Sequence, residues 1–255
     1  MTINPVKTTN IGGRNFATRE YMAAVKSDNW LIHSVGIGEL GNPDGSQFSL
    51  LEKIGYPKQA IAGFDFNFNI FALQLPQNFD FWAVQSTLAT YVKETYKAAK
   101  LGMTGYSLAG RGCWTCLQGD SKGYFDFIAP IAGYYDSSQG PVCSLRSIPI
   151  YAWHGDKDTT MMYAYDRDNI AAYNACTGRP TQIIDGVKQP CAYLKTLAGV
   201  THNSWDTAYD VTPGKDSLLQ WINQQFGPAP IPQPTIRVNG VDTGISPPIL
   251  NIEVK

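Results

Sequence analysis

The amino-acid sequence predicts an α/β domain with a mostly parallel central sheet and helices on both of its faces. Two observations favour this fold class. Apolar runs of strand length alternate along the chain with longer segments that can form helices. Hydrophobic residues make up 44% of the 255 positions, so the chain can bury a sizeable core.

The order of the predicted elements supports a single doubly covered sheet. The predicted strands are at residues 14–22, 30–35, 68–75, 101–103, 125–131, 148–153 and 191–197. The predicted helices are at residues 81–100, 110–117, 166–175 and 217–226. Residues 48–54 are predicted to form a short helix or turn, closed by Gly55 and Pro57. Residues 1–13 are polar and are predicted to be irregular, and residues 14–22 alternate loosely in polarity, which predicts an edge strand. Little sequence is left between these elements, so no large lid domain is expected.

A change of composition after Gly227 predicts the domain organisation. Residues 1–227 are expected to form the α/β domain. Residues 228–234 are rich in proline, which predicts a stiff, extended linker. Residues 235–255 alternate in polarity around an Asn-Gly turn signal, so they predict a C-terminal β extension.

Charge and hydropathy exclude some classes of partner. The net charge is −1, which gives no electrostatic reason to expect nucleic acid or an anionic membrane. No run of about 18 apolar residues predicts a membrane span, and the N-terminal residues do not resemble a signal peptide. We therefore expect a soluble protein. Its weakly charged, aromatic composition is compatible with an extracellular protein that handles carbohydrate, but composition leaves the compartment and the oligomeric state open.

A serine stands among small residues in the segment Gly-Tyr-Ser-Leu-Ala-Gly at 105–110. A short apolar run precedes this segment, and a predicted helix follows it. Small neighbours permit a sharp strand-to-helix turn that exposes the hydroxyl of Ser107 at a helix N-terminus, where the helix dipole favours developing negative charge. Ser107 is therefore a candidate nucleophile. The alternative is that Ser107 only caps the helix.

A catalytic serine needs a base within hydrogen-bonding reach and a group that orients the base. Of the three histidines, His33 lies in a predicted buried strand and His154 at a strand end, so structural roles are expected for both. His202 follows a predicted strand in a polar loop and is the candidate base. Two carboxylates, Asp156 and Asp158, follow the predicted strand at 148–153, and position alone leaves both open as the orienting acid.

Three motifs together resemble the serine-esterase branch of the α/β-hydrolase fold, close to dienelactone-hydrolase-like and polysaccharide-associated esterases. They read GYSLAG at 105–110, WHGDKDTTM at 153–161 and GVTHNSWDTAY at 199–209. The resemblance covers roughly residues 15–226. It implies a catalytic triad of Ser107, Asp158 and His202, because the acid loop of these families commonly reads His-Gly-x-x-Asp. It implies no metal and no organic cofactor.

The resemblance also extends to an oxyanion hole. Residues 32–42 are similar to the family segment HGxGExGN, which implies that the backbone amides of Ile37 and Leu108 stabilise the oxyanion. The chain departs from the family pattern at Val35, where a histidine is expected. It departs again at Ala109, where glycine is more usual. The glycines at 36–41 are an alternative phosphate loop, but GxGxxG and a P-loop lysine are both missing.

These features predict a serine hydrolase that cleaves carboxylic esters through an acyl-enzyme. The expected substrate is a small-molecule or polysaccharide ester, such as an acylated carbohydrate or a feruloyl ester, and Tyr106 and Trp205 are candidates for lining its groove. Two alternatives stay open. One is a serine peptidase of the same fold, and the other is a glycan-binding module that has lost catalysis, which the substitution at Val35 and the C-terminal extension encourage.

The five cysteines make an odd number, so at least one is free or pairs between chains. Cys113 and Cys116 lie on a predicted buried helix without a second pair, which favours structural thiols over a redox or zinc half-site. Cys176 and Cys191 flank a loop, and a disulfide between them is a hypothesis.

Overall fold

The structure is a computed structural model. It describes residues 1–77 and 80–227, together with two short strands at Arg237–Val238 and Val241–Asp242. The strands are β1 Thr2–Ile3, β2 Lys7–Ile11, β3 Arg14–Met22, β4 Asn29–Ser34, β5 Asn69–Gln74, β6 Lys100–Tyr106, β7 Phe127–Ile131, β8 Ile150–Gly155, β9 Thr181–Ile184, β10 Val187–Pro190, β11 Ala192–Leu197, β12 Arg237–Val238 and β13 Val241–Asp242. The α-helices are α1 Gly55–Ile61, α2 Leu88–Tyr96, α3 Leu108–Gly119, α4 Tyr163–Ala175, α5 Trp205–Ala208 and α6 Leu218–Phe226. Short 3-10 turns lie at Ile37–Glu39, Phe48–Lys53, Phe81–Ala83, Ser137–Gln139 and Val142–Ser144.

Nine strands form the central sheet, in the order β1-β3-β5-β4-β6-β7-β8-β11, with β2 also paired to β3. The pairings from β5 to β11 are parallel, and β3 joins β5 in the antiparallel direction. The fold class predicted from the sequence is therefore confirmed. Because β4, β6, β8 and β11 run the same way, the loops that follow them reach one edge of the sheet.

Two apolar clusters cover the two faces of the sheet. One contains Leu88 of α2, Cys113 of α3 and Ile170 of α4, all buried against strand residues such as Met103. The other contains the buried faces of α1 and α6, including Trp221. Each α-helix therefore buries one stripe against the sheet, which is the expected arrangement when parallel strands alternate with helices.

The N-terminal region corrects two of the expectations. Residues 1–13 are not irregular, because β1 and β2 lie in this segment and both pair with β3. Consequently Arg14–Met22 forms a strand as predicted, but it is not at the edge of the sheet. Thr9 of β2 contacts Thr18 of β3 through their hydroxyl groups, so a polar strand is satisfied by cross-strand pairing.

The helix predicted at residues 81–100 is shorter than expected. A 3-10 turn at Phe81–Ala83, capped by the carboxylate of Asp80, precedes α2, which begins only at Leu88. The intervening segment contains β-branched and hydroxyl residues, which favour helices weakly. Lys97 then adopts a left-handed conformation with φ 53° and ends the helix before β6.

Two further elements lie where the sequence suggested none. The hairpin of β9 and β10 forms a separate two-stranded sheet. Helix α1 begins at Gly55, where the sequence predicted a break, because Pro57 falls in its first turn and needs no amide there. The predicted linker at 228–234 lies outside the described residues. Within 235–255 the structure describes only the antiparallel pair β12 and β13, so the domain boundaries stay a prediction.

The disulfide hypothesis is wrong. Cys176 pairs with Cys143, with the Cα atoms 5.5 Å apart. The thiol of Cys191 instead lies buried at the start of β11, where it donates to the carbonyl of Ile148. Cys113 and Cys116 are free and buried in the core, and burial raises the pKa of both thiols, as structural cysteines require.

The described part of the chain contains no helix that is long and apolar enough to cross a bilayer.

Candidate active site

Ser107 occupies a strained turn between β6 and α3. Its backbone has φ 54° and ψ −116°, a conformation that is costly for a residue with a side chain. The amide of Ser107 donates to the carbonyl of Ile131 at 2.9 Å, which ties the turn to β7. The side chain of Ser107 makes no helix-capping hydrogen bond, so the alternative role as a helix cap has no support.

Small residues make this turn possible. A Cβ atom at Gly105 would lie 2.5 Å from the Cβ atom of Ala109, so residue 105 must be glycine for the methyl group of Ala109 to fit. A Cβ atom at Gly110 would collide with the carbonyl oxygen of Ile131. The departure from the family pattern at Ala109 is thus accommodated by the glycine four residues earlier.

The side chains of Ser107, His202 and Asp158 lie in one hydrogen-bonded line. The Nε2 atom of His202 is 2.8 Å from the Oγ atom of Ser107, and the Nδ1 atom is 2.7 Å from the Oδ2 atom of Asp158. Because an ionised carboxylate only accepts, Nδ1 carries the proton, and Nε2 is free to accept from the serine hydroxyl. Within this line the side chain of Asp158 is fully buried, Ser107 is 9% exposed and the side chain of His202 is 23% exposed, so the serine and the imidazole are the members with access to solvent.

The carboxylate of Asp158 is held from several sides. Its Oδ1 atom accepts from the amides of Thr160 at 2.8 Å and Met161 at 3.1 Å, while its Oδ2 atom faces His202. Burial acts to raise the pKa of Asp158, but the hydrogen bonds from His202 and from these amides outweigh it, so the pKa is lowered. Asp158 is therefore ionised at neutral pH.

The other candidate acid has a different partner. The Oδ1 atom of Asp156 accepts from the amide of Gly199 at 2.8 Å, which joins the loop after β8 to the loop after β11. Asp156 thus fixes the loop that carries His202, while Asp158 contacts the imidazole itself.

The two remaining histidines are fully buried, but their surroundings differ. His33 packs between the rings of Tyr56 and Tyr209, and burial lowers its pKa to about 3, so it stays neutral. His154 has polar partners on both ring nitrogens. Its Nε2 atom is 2.7 Å from the carbonyl of Met161 and 3.0 Å from Oδ2 of Asp158, and its Nδ1 atom is 3.0 Å from Oδ2 of Asp166.

The loop after β4 lies beside the turn at Ser107. Gly36 packs on the ring of Tyr106, where a Cβ atom would lie 3.0 Å from Cε2. Ile37 follows as the first residue of a 3-10 turn and is 72% exposed. Leu108 is the first residue of α3, where backbone amides have no partner within the helix. Val35 is buried in the apolar core, so its side chain takes no part in this loop's polar contacts.

A buried glutamine holds the same loop from behind. The Nε2 atom of Gln74, on β5, donates to the carbonyl of Glu39 at 2.8 Å and to the carbonyl of Gln47 at 2.9 Å. The amide of Gly41 also donates to the carbonyl of Leu75. These contacts fix the loop to the sheet without the histidine that the family pattern has.

The two expected groove residues differ in exposure. Tyr106 is only 1% exposed, so its prediction as a groove residue is corrected: its ring lies beneath that of Trp205, 4.6 Å away between centroids. Burial, and then the nearby Glu39 carboxylate, raise the pKa of Tyr106. Trp205 is half-buried and meets the His202 ring edge-on at 5.2 Å, so it supports the imidazole and borders the site.

A groove of about 410 Å³ lies further along this edge, after β7 and beside α4. Tyr134 and Tyr165 line it, with their ring centroids 5.2 Å apart. Asp136, Asp168 and Asn169 contribute polar groups. The preceding residue, Gly133, packs directly against Gly110 and Arg111 near the start of α3.

Sequence reasoning missed two residues at this site, Gln74 and Asp166. Both carry a recognisable signal. Gln74 is a buried polar residue at the end of the mostly apolar strand β5. Asp166 shares the buried face of α4 with Ile170 and Tyr173, which follow it four and seven residues later. A polar residue at an apolar-face position of a buried element indicates a buried hydrogen bond.

Comparisons with known proteins bear on the fold. No protein-family model matches the chain, and no curated protein sequence matches it. Among solved structures, it is similar to a thermostable esterase at 17% identity and a TM-score of 0.52, covering 88% of this chain and 60% of that one, so it spans less than two thirds of that relative.

Two further neighbours are matched over nearly their whole length. The esterase domain of a Rhodothermus marinus protein is 12% identical with a TM-score of 0.58, covering 89% of this chain and 100% of that one. Zea mays acyl-protein thioesterase 2 is 15% identical with a TM-score of 0.52, covering 82% and 99%. With the sheet order and the turn at Ser107, these likenesses show that the chain has the α/β-hydrolase fold.

Proposed function

We propose that this protein is a serine hydrolase that cleaves carboxylic esters through an acyl-enzyme. The observation that carries the proposal is the continuous hydrogen-bonded line from Ser107 through His202 to Asp158. A hydroxyl paired with a correctly oriented imidazole is an activated nucleophile. The esterase and thioesterase neighbours of the same fold support an acyl-transfer reaction.

In the proposed mechanism, the Oγ atom of Ser107 attacks the ester carbonyl carbon while Nε2 of His202 takes the serine proton. The amides of Leu108 and Ile37 donate to the oxyanion that forms, and each such donor is worth about 3 kcal/mol in the transition state. His202 then gives the proton to the departing alcohol. Water, deprotonated by His202, attacks the acyl group and releases the acid, and the proton returns to Ser107.

For the substrate, we propose a bulky ester such as an acylated carbohydrate or a feruloyl ester. The groove lined by Tyr134 and Tyr165 supports this choice, because adjoining aromatic rings with nearby carboxylate and amide groups offer an apolar wall and polar partners to an aryl group or a sugar ring. With methyl ferulate as substrate, Tyr165→Ala should raise KM several-fold, whereas KM for p-nitrophenyl acetate should stay unchanged.

Hydrolysis of p-nitrophenyl acetate by the wild type and Ser107→Ala tests the activity. We expect kcat to fall by at least about 10⁴-fold in the variant, because the nucleophile is lost. Equal rates would remove Ser107 from the mechanism. Faster cleavage of a matched peptide amide would favour a peptidase. Glycan binding by folded protein without any turnover would favour the binding module.

A further inference from the structure

His154 and Asp166 form a buried pair next to Asp158, and His154 contacts the same carboxylate oxygen as His202. His154 lies near the end of β8, and Asp166 lies on α4, so the pair joins two rigid elements behind the loop that carries Asp158. Neither side chain is exposed. The distances that connect them are 3.0 Å from Nδ1 of His154 to Oδ2 of Asp166 and 3.0 Å from Nε2 to Oδ2 of Asp158.

The protonation of this pair follows from its contacts. The Met161 carbonyl, 2.7 Å from Nε2 of His154, can only accept, so Nε2 carries a proton. A bare Nδ1 lone pair facing an ionised Asp166 would be repulsive, so one further proton lies between these two groups. Whichever atom holds that proton, the pair has no net charge. An unpaired buried carboxylate would be far more costly.

We propose that His154 is a positioning residue for catalysis, which donates to the Asp158 carboxylate and is itself held in place by Asp166. This inference rests on the function proposed above. The single Nε2–H group of His154 is shared between the carbonyl of Met161 and Oδ2 of Asp158, and Oδ2 also accepts from Nδ1–H of His202. The amides of Thr160 and Met161 satisfy Oδ1.

The absence of net charge on the pair matters for the reaction. A positive group behind Asp158 would weaken the attraction of the carboxylate for the imidazolium that forms at His202 during attack. An additional negative group would strengthen that attraction and resist proton return to the leaving alcohol. A neutral pair orients Asp158 without either effect, and both directions of proton transfer are needed for turnover.

The double variant His154→Phe/Asp166→Leu separates positioning from stability. Replacing both members of a buried polar pair with apolar groups often leaves stability unchanged or higher, so we expect a folded protein. Its kcat for p-nitrophenyl acetate should fall about 10- to 100-fold, with KM within about twofold of wild type. A folded double variant with wild-type kcat would overturn the proposal.

A double-mutant cycle with Asp158→Ala shows whether the pair acts through Asp158. In the Asp158→Ala background, the double variant should cause little further loss, because the group that it positions is already absent. A full additional loss would overturn the proposal. Tyr173→Phe is the matched control, since Tyr173 lies on the same buried face of α4 but bonds the backbone of Arg146 and Ile148. It should change stability and leave kcat unaltered.

If the double variant does not fold, two single variants at Asp166 test the proposal instead, because one of them keeps a hydrogen-bond donor to His154 and the other does not. In Asp166→Asn, the amide can donate to Nδ1 of His154, which keeps Nε2–H directed at Asp158, so kcat should stay within about threefold of wild type. Asp166→Leu leaves Nδ1 without a partner, so the ring loses its orientation and kcat should fall about 10-fold. Equal kcat in the two variants would overturn the proposal.

Ser107→Ala in the same assay separates failure of this inference from failure of the proposed function. If wild-type turnover does not exceed that of Ser107→Ala, the proposed function fails, and ¹⁵N-histidine NMR then decides the inference. The chain has only three histidines, so their ring signals are separable. The signals of His202 should shift in the double variant and stay unchanged in Tyr173→Phe. Unshifted His202 signals in the double variant would overturn the inference.

Discussion

At the scale of single residues, the hydrogen bonds of the site converge on Asp158. Its two carboxylate oxygens face two imidazoles and two backbone amides. Asp156, two residues earlier, accepts from the amide of Gly199 instead. The two carboxylates therefore have separable tasks, although their positions in the sequence are nearly equivalent.

Substitution of each aspartate by asparagine tests this division. Asp158→Asn presents an amide to His202, which favours the wrong imidazole tautomer, so kcat should fall about 10⁴-fold. Asp156→Asn keeps a carbonyl oxygen for Gly199, so kcat should stay within about threefold of wild type. Steady-state kinetics on p-nitrophenyl acetate measures both values. A large loss in Asp156→Asn with little loss in Asp158→Asn would reverse the assignment.

The sequence supplied the three residues of the line but not what lies behind them. Ser107, Asp158 and His202 each follow a parallel strand, so the edge that they share could be predicted from chain order. The contacts of His154 and Asp166 could not, because they depend on how closely α4 packs on β8. Sequence reasoning expected a structural role for His154, and the observed ring contacts reach Asp158 itself.

At the scale of elements, the disulfide links the 3-10 turn Val142–Ser144 to the end of α4. Cys143 and Cys176 are 33 residues apart in sequence, so their bond restricts a long loop in the unfolded chain. Cys191 lies nearer to Cys176 in sequence, but its thiol is buried against the Ile148 carbonyl. Proximity along the chain was therefore a poor guide to the pairing.

Serine substitutions test the pairing through stability. Cys143→Ser/Cys176→Ser should lower the free energy of unfolding by about 3 to 4 kcal/mol through loop entropy. Cys191→Ser should cost about 1 kcal/mol or less, because a hydroxyl can still donate to the Ile148 carbonyl. Urea unfolding measures both variants, and a reductant should remove the difference between the wild type and the double variant. A Cys191→Ser protein as unstable as the double variant would contradict the pairing.

The elements themselves were predictable to different degrees. Buried parallel strands are continuous apolar runs, so β5, β7 and β8 were identified from the sequence to within two residues at each end. The polar strand β2 and the exposed hairpin strand β10 lack that signal, and both were missed. Their formation depends on neighbours for pairing, which a local pattern does not contain.

At the scale of the whole molecule, stability should depend on pH through the His154–Asp166 pair. The ring of His154 contacts Asp158, which lies in the loop after β8. It also contacts Asp166 and the ring of Tyr163, which both lie on α4. Burial acts to lower the pKa of His154, but the hydrogen bond and charge of Asp166 outweigh it, so the pKa is raised. Burial also raises the pKa of Asp166. The folded pair thus retains a proton that the unfolded chain releases.

The direction of this pH dependence follows from the difference in bound protons between the folded and unfolded chains. The stabilisation is fully present below the unfolded histidine pKa of about 6.5 and is lost as pH rises through the raised folded pKa. Between about pH 6.5 and 8, the free energy of unfolding of the wild type should therefore fall, by at most about 1.4 kcal/mol per pH unit. Urea unfolding of His154→Phe/Asp166→Leu should show a flatter dependence. Parallel curves would contradict the proton assignment.

Covalent labelling of Ser107 tests the central claim most directly. A fluorophosphonate reacts with a serine only when a base activates it, whatever the natural substrate of the enzyme. Intact-mass spectrometry of the wild type should show one adduct per chain, which peptide mapping should locate at Ser107, and Ser107→Ala should show none. An unlabelled, folded wild-type protein, or an adduct that persists in Ser107→Ala, would contradict the account.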